Sequence, residues 1–341
     1  MKRYNTLCIG VLAWALSSCE SNQNQQQENV TQLAKECVQG VVNQTIIPTY
    51  DSMTDQSERL AFMLAEFKLN PTQSKLDSIK AQWKIIRKTW ELSEGFLFGP
   101  VATENIDPRL DTWPINIQDL EALLQKQTAF SQTDLNLLEE GLKGFHPLEY
   151  LLWGKNGNKS ANEFDSAQIN LMIALSNDIA GLSRSCSDQW NATFSNDFQL
   201  NTKEAMLEIV GAMQGICAEV AEGKLGEPFE WKNSDLEESP FSKNSLEDFK
   251  NNMKSVRNVY QANYMGDGKG VADFVKFFNL SLHNKIEWQI KQSLQALEAI
   301  EVPFGDAIHQ QPVAVKNAID QIALLSEIIE LELLPLVQDR L

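Results

Sequence analysis

Apolar residues recur at spacings of three and four along nearly the whole chain, the period of one helix face. Val30, Leu33, Cys37 and Val41 open the series, and Pro48 is expected to end that helical stretch. Leu60, Met63, Leu64 and Phe67 mark a second helix, broken at Asn70-Pro71. Leu76, Ile79, Trp83, Ile86 and Trp90 mark a third, stopped by Phe98-Gly99-Pro100. The stripe then lapses. Residues 101–116 contain Pro108 and Pro114 and read as a long irregular loop, a length uncommon in compact domains unless functional or disordered. Helical signals resume at 118–127 and after Thr133, and Gly144 and Pro147 interrupt them before Leu148, Leu151 and Leu152. Met172 to Trp190 and Met206 to Val220 outline two long helices, residues 223–244 read as loop, and three further helices are expected at about 245–264, 271–300 and 314–338. Strand-like alternation is nearly absent, so the predicted fold class is all-α, and long helices on short connections imply antiparallel bundles. A boundary near 191–203 divides the chain into helical halves, 30–190 and 191–341, each with about four main helices.

The N-terminus departs from this pattern. Lys2 and Arg3 precede an apolar run from Leu7 to Leu16, about half the length a membrane-spanning helix needs. It reads as a signal peptide over residues 1–18. Leu16-Ser17-Ser18-Cys19 resembles a bacterial lipobox, in which cleavage precedes the cysteine and the Cys19 thiol carries a lipid. The alternative is an ordinary secretory signal with a chance cysteine. Residues 19–29 are polar and rich in Gln and Asn, and read as a flexible tether. The expected location is therefore the cell envelope, with a soluble domain lipid-anchored to a membrane.

The net charge of −17, made more negative by loss of Lys2 and Arg3, argues against nucleic acid as a partner, because phosphate binding needs a basic face. It is compatible with cationic ligands or metal ions. Beyond Cys8 and Cys19 the chain has Cys37, Cys186 and Cys217, each on an apolar stripe. Three cannot all pair within one chain, so one disulfide or none is expected.

Candidate chemistry gathers around one of only three histidines. In Gly144-Phe145-His146-Pro147-Leu148-Glu149, Pro147 suits the first turn of a helix, which places His146 at the cap and Glu149 in the first turn. Three residues apart, imidazole and carboxylate lean over one patch and are able to chelate a cation. The alternative is that Glu149 simply complements the positive helix end. Glu94 follows Trp83, Ile86 and Trp90 on their stripe, where an unpaired carboxylate is costly; it snorkels, pairs or binds something, with Arg87 as one partner. Glu91 belongs to the same constellation. Asp111, in Asp111-Thr112-Trp113-Pro114, is a ligand or a turn former. His283 and Glu287 are spaced for chelation but read as a paired surface feature. HExxH, GxSxG, Walker-type and GxGxxG motifs are absent.

Trp90-Glu91-Leu92-Ser93-Glu94-Gly95-Phe96-Leu97-Phe98-Gly99-Pro100, Asp111-Thr112-Trp113-Pro114 and the Gly-x-His-x-x-Glu pattern of Gly144, His146 and Glu149 together resemble the imelysin family. Gly226-Glu227-Pro228, the block from Glu238 to Ser242 and the block from Asn244 to Phe249 extend the resemblance across most of the chain. It implies two packed four-helix bundles with the functional site at the His-x-x-Glu helix. It also implies a metallopeptidase class named for an insulin-cleaving membrane protease, and lipoproteins linked to iron uptake and regulation. Carried over by position, His146, Glu149, Glu94 and Asp111 are the expected metal ligands. Arg87 is then a charge partner, Trp90 and Trp113 line the site, and Glu149 is the catalytic candidate if the protein is a peptidase. Three oxygens and one nitrogen suit a first-row divalent ion, iron before zinc. A binding module without chemistry, in which loop 96–116 and the groove between bundles hold a peptide, sugar or partner, is the remaining reading.

Overall fold

The structure, a computed structural model, describes residues 27–341, so the expected signal peptide, Cys19 and the tether up to residue 26 lie outside the described residues. Helix α1 occupies residues 27–41 and takes in residues 27–29, which composition had assigned to the tether. Buried Val30 anchors its first turn. Pro48 does not end this stretch. The chain continues through a π-helical turn, Val42–Ile46, into α2 (Ile47–Leu69); the Ile47 N–H bonds to the Val42 carbonyl, five residues back, and Pro48 follows directly within the continuous helix. The polar groups around this turn find partners in the second half: the Thr45 hydroxyl donates to the Asn258 carbonyl at 3.1 Å, and the Met265 N–H to the Gln44 carbonyl at 3.0 Å.

The expected long helices follow: α3 (Gln73–Glu91), then a short α4 (Ile106–Asp111), α5 (Phe145–Trp153) and α6 (Ser166–Gln189). The second half contributes α7 (Thr202–Glu219), α8 (Ser245–Gln261), α9 (Val271–Phe278), α10 (Leu280–Glu298) and α11 (Pro312–Ile328). No β-strand occurs among the described residues, and the chain is all-α. The stretch 101–116 is not wholly irregular. Ile106 and Leu110, four apart and buried, give α4 an apolar face that Pro108 disguises in the sequence.

In the first half α2 packs between α3 and α6, and α5 bridges α3 and α6. In the second, α7 packs on α8 and α11, and α10 on the same two helices. The halves are joined closely. Helix α3 lies on α8, and a single-turn 3-10 segment, Glu94–Phe96, sits against α7 and α8. Gly95 makes this approach possible: a Cβ there would meet the Ser255 hydroxyl at 2.6 Å, and the Gly95 N–H donates to that oxygen at 2.8 Å. Helix α1 also reaches across, with Glu36 paired to Lys269 and Gly40 against the Lys269 carbonyl. Buried apolar residues from both halves form one continuous core.

Cys37, Cys186 and Cys217 are all buried and unpaired. Burial pushes the Cys37 thiol up to about 12 and the other two higher still. Because the thiolate is the reactive form, these three thiols should resist an aromatic disulfide reagent at pH 8 in the native protein. All three should react once denaturant unfolds it; prompt reaction of any of them in native protein would contradict this packing.

Candidate metal centre

The last two turns of α3 break the usual rule that charges face water. Arg87, Trp90 and Glu91 are all buried there, followed by buried Glu94 in the adjoining 3-10 turn. Helix α4 ends on Asp111, which lies against this cluster. The Asp111 carboxylate accepts from Arg87 Nη1 and, at 2.7 Å, from Trp90 Nε1. Helix α5 enters alongside through Gly144, its N-cap, at φ 79°. This is left-handed backbone that favours glycine. A Cβ at Gly144 would also lie 2.1 Å from the Leu110 carbonyl oxygen. Only glycine lets α5 start this close to the end of α4, which brings His146 Nε2 to 2.9 Å from Asp111 Oδ1. His146 is therefore the second residue of the helix rather than its cap, because Gly144 takes the capping position.

One turn on, Glu149 Oε1 accepts from the N–H and the hydroxyl of Ser242, at 2.7 and 2.5 Å. Its other oxygen, Oε2, lies 3.9 Å from His146 Nδ1, and both atoms are buried without a hydrogen-bond partner. Glu94 faces Lys224 Nζ at 3.7 Å, so its cation is not the Arg87 that sequence spacing suggested. Trp113 lies beside the His146 ring, with centroids 6.4 Å apart, and under the Lys224 ammonium. The structure thus places Arg87, Trp90, Glu94, Asp111, Trp113, His146 and Glu149 in one neighbourhood, but of the four expected metal ligands Glu94 and His146 fall in different groups of converging ligand atoms and Glu149 in none among the described residues. By contrast, His283 and Glu287 lie elsewhere and are paired, to Tyr260 and Gln261 respectively.

The second half completes the centre with residues that sequence reasoning did not select. Glu238 Oε1 lies 2.6 Å from Arg87 Nη2 and 2.8 Å from Lys224 Nζ. Asp248 Oδ1 is 3.8 Å from Arg87 Nε, and Asn252 Nδ2 donates to Glu91 Oε2 at 2.5 Å. A signal for α8 was present. Ser245, Asp248, Asn252 and Ser255 recur at three, four and three, a polar stripe on a core-facing period, and all four are buried. Glu238 and Lys224 had no such signal, because each lies in the stretch read as loop.

Two triads offer ligand atoms within 4.8 Å of one another around Asp111: Asp111 with His146 and Glu238, and Asp111 with Glu91 and Glu94. One imidazole nitrogen among carboxylates is a donor set suited to a first-row divalent ion. The unpartnered His146 Nδ1 and Glu149 Oε2 leave further donor capacity. The residues present fit such an ion.

The sequence profile of the family described as Imelysin matches residues 46–331. The chain belongs to the imelysin family. This imelysin-family protein is 29% identical to iron-regulated protein A of Synechococcus elongatus, over 97% of its own length and 92% of the relative's. Its fold matches an iron-regulated protein A precursor from Parabacteroides distasonis, with a TM-score of 0.79 and 21% identity, covering 91% of this chain and 95% of the other. It also matches an imelysin-like protein from Psychrobacter arcticum, with a TM-score of 0.75 and 13% identity, covering 90% and 96%.

Charge in the centre of this imelysin-family chain is unbalanced. Burial alone would disfavour the charged forms of Arg87 and Lys224, but the surrounding carboxylates hold both firmly protonated. Burial likewise pushes Glu91 and Glu94 well above the ordinary carboxylate range, against the pull of Arg87 and Lys224, and lifts Asp248 to about 7. Asp111 goes the other way. Burial would raise it, but Arg87 and His146 hold it well below its usual value. Burial would lower His146, and Asp111 and Glu149 carry it above its usual value instead. With raised carboxyls the folded state binds more protons than the unfolded state as pH climbs from about 4.5 to 7, so stability falls with rising pH; loss of the His146 proton acts in the same direction. In chelator-treated protein, denaturant titrations should therefore show stability dropping by a few kcal/mol, in order of magnitude, between about pH 4.5 and 7.5. A flat or rising profile across that window would contradict the charge imbalance.

Proposed function

We propose that this imelysin-family protein is an exported lipoprotein that binds a divalent metal ion, with iron the first candidate and zinc the second, in iron uptake or handling. The observation that carries this reading is the buried centre itself. Its carboxylates outnumber Arg87 and Lys224, and His146 Nδ1 and Glu149 Oε2 face each other unpartnered. Surplus buried negative charge needs protons or a cation, and a divalent ion beside Asp111, His146 and Glu238 offsets it. His146 through Nε2, Asp111 and Glu238 would hold the ion, Glu91 and Glu94 offer a second set on the same Asp111, and Glu149 would orient the imidazole from its Nδ1 side. The resemblance to a relative named iron-regulated protein A supports iron as the first candidate.

Polypeptide cleavage, the other activity that the family resemblance implies, fits the geometry less well. Glu149 is fully buried, and one of its oxygens is taken by two Ser242 donors. That environment suits a fixed ligand or orienting group better than a base acting on a bulky chain.

Because ligands must lose protons to bind metal, anaerobic addition of iron(II) at pH 6.5 in weak buffer should release at least one proton per ion bound. It should also raise the unfolding temperature. His146→Ala should weaken binding at least about 100-fold, the upper end of what loss of an outer-shell partner costs. Absence of saturable binding in protein stripped by chelator would sink the reading.

Anchoring is tested separately. Lipidation at Cys19 predicts that labelled fatty acid is incorporated by the wild type but not by Cys19→Ser, and that the variant moves from the membrane fraction to the soluble one. Equal membrane association of the two proteins would overturn the anchor.

A further inference from the structure

Lys224 holds a position unusual for an ammonium group. Its side chain is fully buried, and Nζ lies 2.8 Å from Glu238, 3.7 Å from Glu94, 3.7 Å from Glu219 and 3.8 Å from Glu91. The Trp113 ring covers it, with the centroid 5.1 Å away. Four carboxylates around one positive centre resemble the surroundings of a bound cation. Lysine presents a compact point charge on a flexible four-carbon stem. The backbone that carries it is also irregular: α7 runs directly into a seven-residue π-helical segment, Val220–Gly226, with Lys224 inside it. Such segments are uncommon and occur frequently at functional sites.

The four carboxylates differ in exposure. The side chains of Glu91, Glu94 and Glu238 are at most 2% exposed, whereas that of Glu219 is 45% exposed. Glu219 therefore connects the ammonium to the surface. Asp107, half-buried on α4, sits near enough to feel the charges of both Glu219 and Asp111. Each triad able to hold a metal around Asp111 includes a carboxylate that Lys224 now contacts, Glu238 in one and Glu91 with Glu94 in the other.

We propose that Lys224 is a tethered stand-in for the metal, neutralising the centre when it is empty and swinging out toward Glu219 as a divalent ion enters past Asp107 and Glu219. The exchange swaps one cation for another on the same oxygens, so the buried carboxylates are never left bare. This inference rests on the metal-binding reading, and its test separates the two.

In the full chain, amine acetylation of each lysine is followed by mass spectrometry, with chelator and with saturating zinc(II), while equilibrium dialysis measures bound zinc. Lys224 should be protected under chelator and label at least tenfold faster with zinc. Lys143, buried outside the centre and paired with Glu140, should not change. Zinc bound with Lys224 still protected overturns the exchange and leaves metal binding standing. If zinc does not bind, the same measurements are made with iron(II) under anaerobic conditions, and binding of neither ion overturns both. Lys224→Met, purified with zinc in case the empty form does not fold, should bind zinc at least tenfold more tightly, because the competing cation is gone. Unchanged or weaker binding would mean that Lys224 builds the site rather than guards it.

Discussion

Arg87 is the constraint around which the molecule is arranged. Its guanidinium is fully buried at the end of α3 and contacts Glu91 on its own helix, Asp111 from α4, and Glu238 and Asp248 from the second half. Burying such a charge costs several kcal/mol unless its partners are well placed. Arginine suits the task because its planar fork addresses several carboxylates at once. Those carboxylates are equally expensive to leave without the arginine, so the two halves of the chain are bound to a common geometry. The stacking of α3 on α8, and of the Glu94–Phe96 turn on α7 and α8, follows from the same convergence.

The centre is nonetheless not neutralised by its own cations. Burial raises Glu91, Glu94 and Asp248 above the ordinary carboxylate range, whereas Arg87 and His146 hold Asp111 below it despite its burial. Neighbouring carboxylates with opposite behaviour are typical of sites tuned by their environment. Here the tuning leaves Asp111 as the anion shared by two of the three potential ligand triads among the described residues.

Three departures from regular structure build the centre. The close approach at Gly144 seats the start of α5 on the end of α4. Gly95 lets the turn bearing Glu94 press against α8. The π segment after α7 carries Lys224 inward. Each is a local cost in ideal helix geometry, offset by the contacts it permits.

The sequence alone determined the helical character, because a period of three and four residues leaves little freedom once long apolar stripes must be buried. It also pointed to His146, Glu149, Glu94, Asp111 and Arg87, through a scarce histidine, a Gly-x-His-x-x-Glu pattern and charges standing where apolar residues belong. It could not show α4, whose two buried apolar residues straddle a proline, or the helix running through Pro48, which depends on a π turn. Nor could it pair Glu94 with Lys224, or place Glu238, Ser242 and Asp248 against residues more than ninety positions earlier. Those contacts join segments distant in the chain, and no periodicity records a distance between two helices. Only the packing of one half on the other decided which carboxylates share a cation, and therefore where charge is left over.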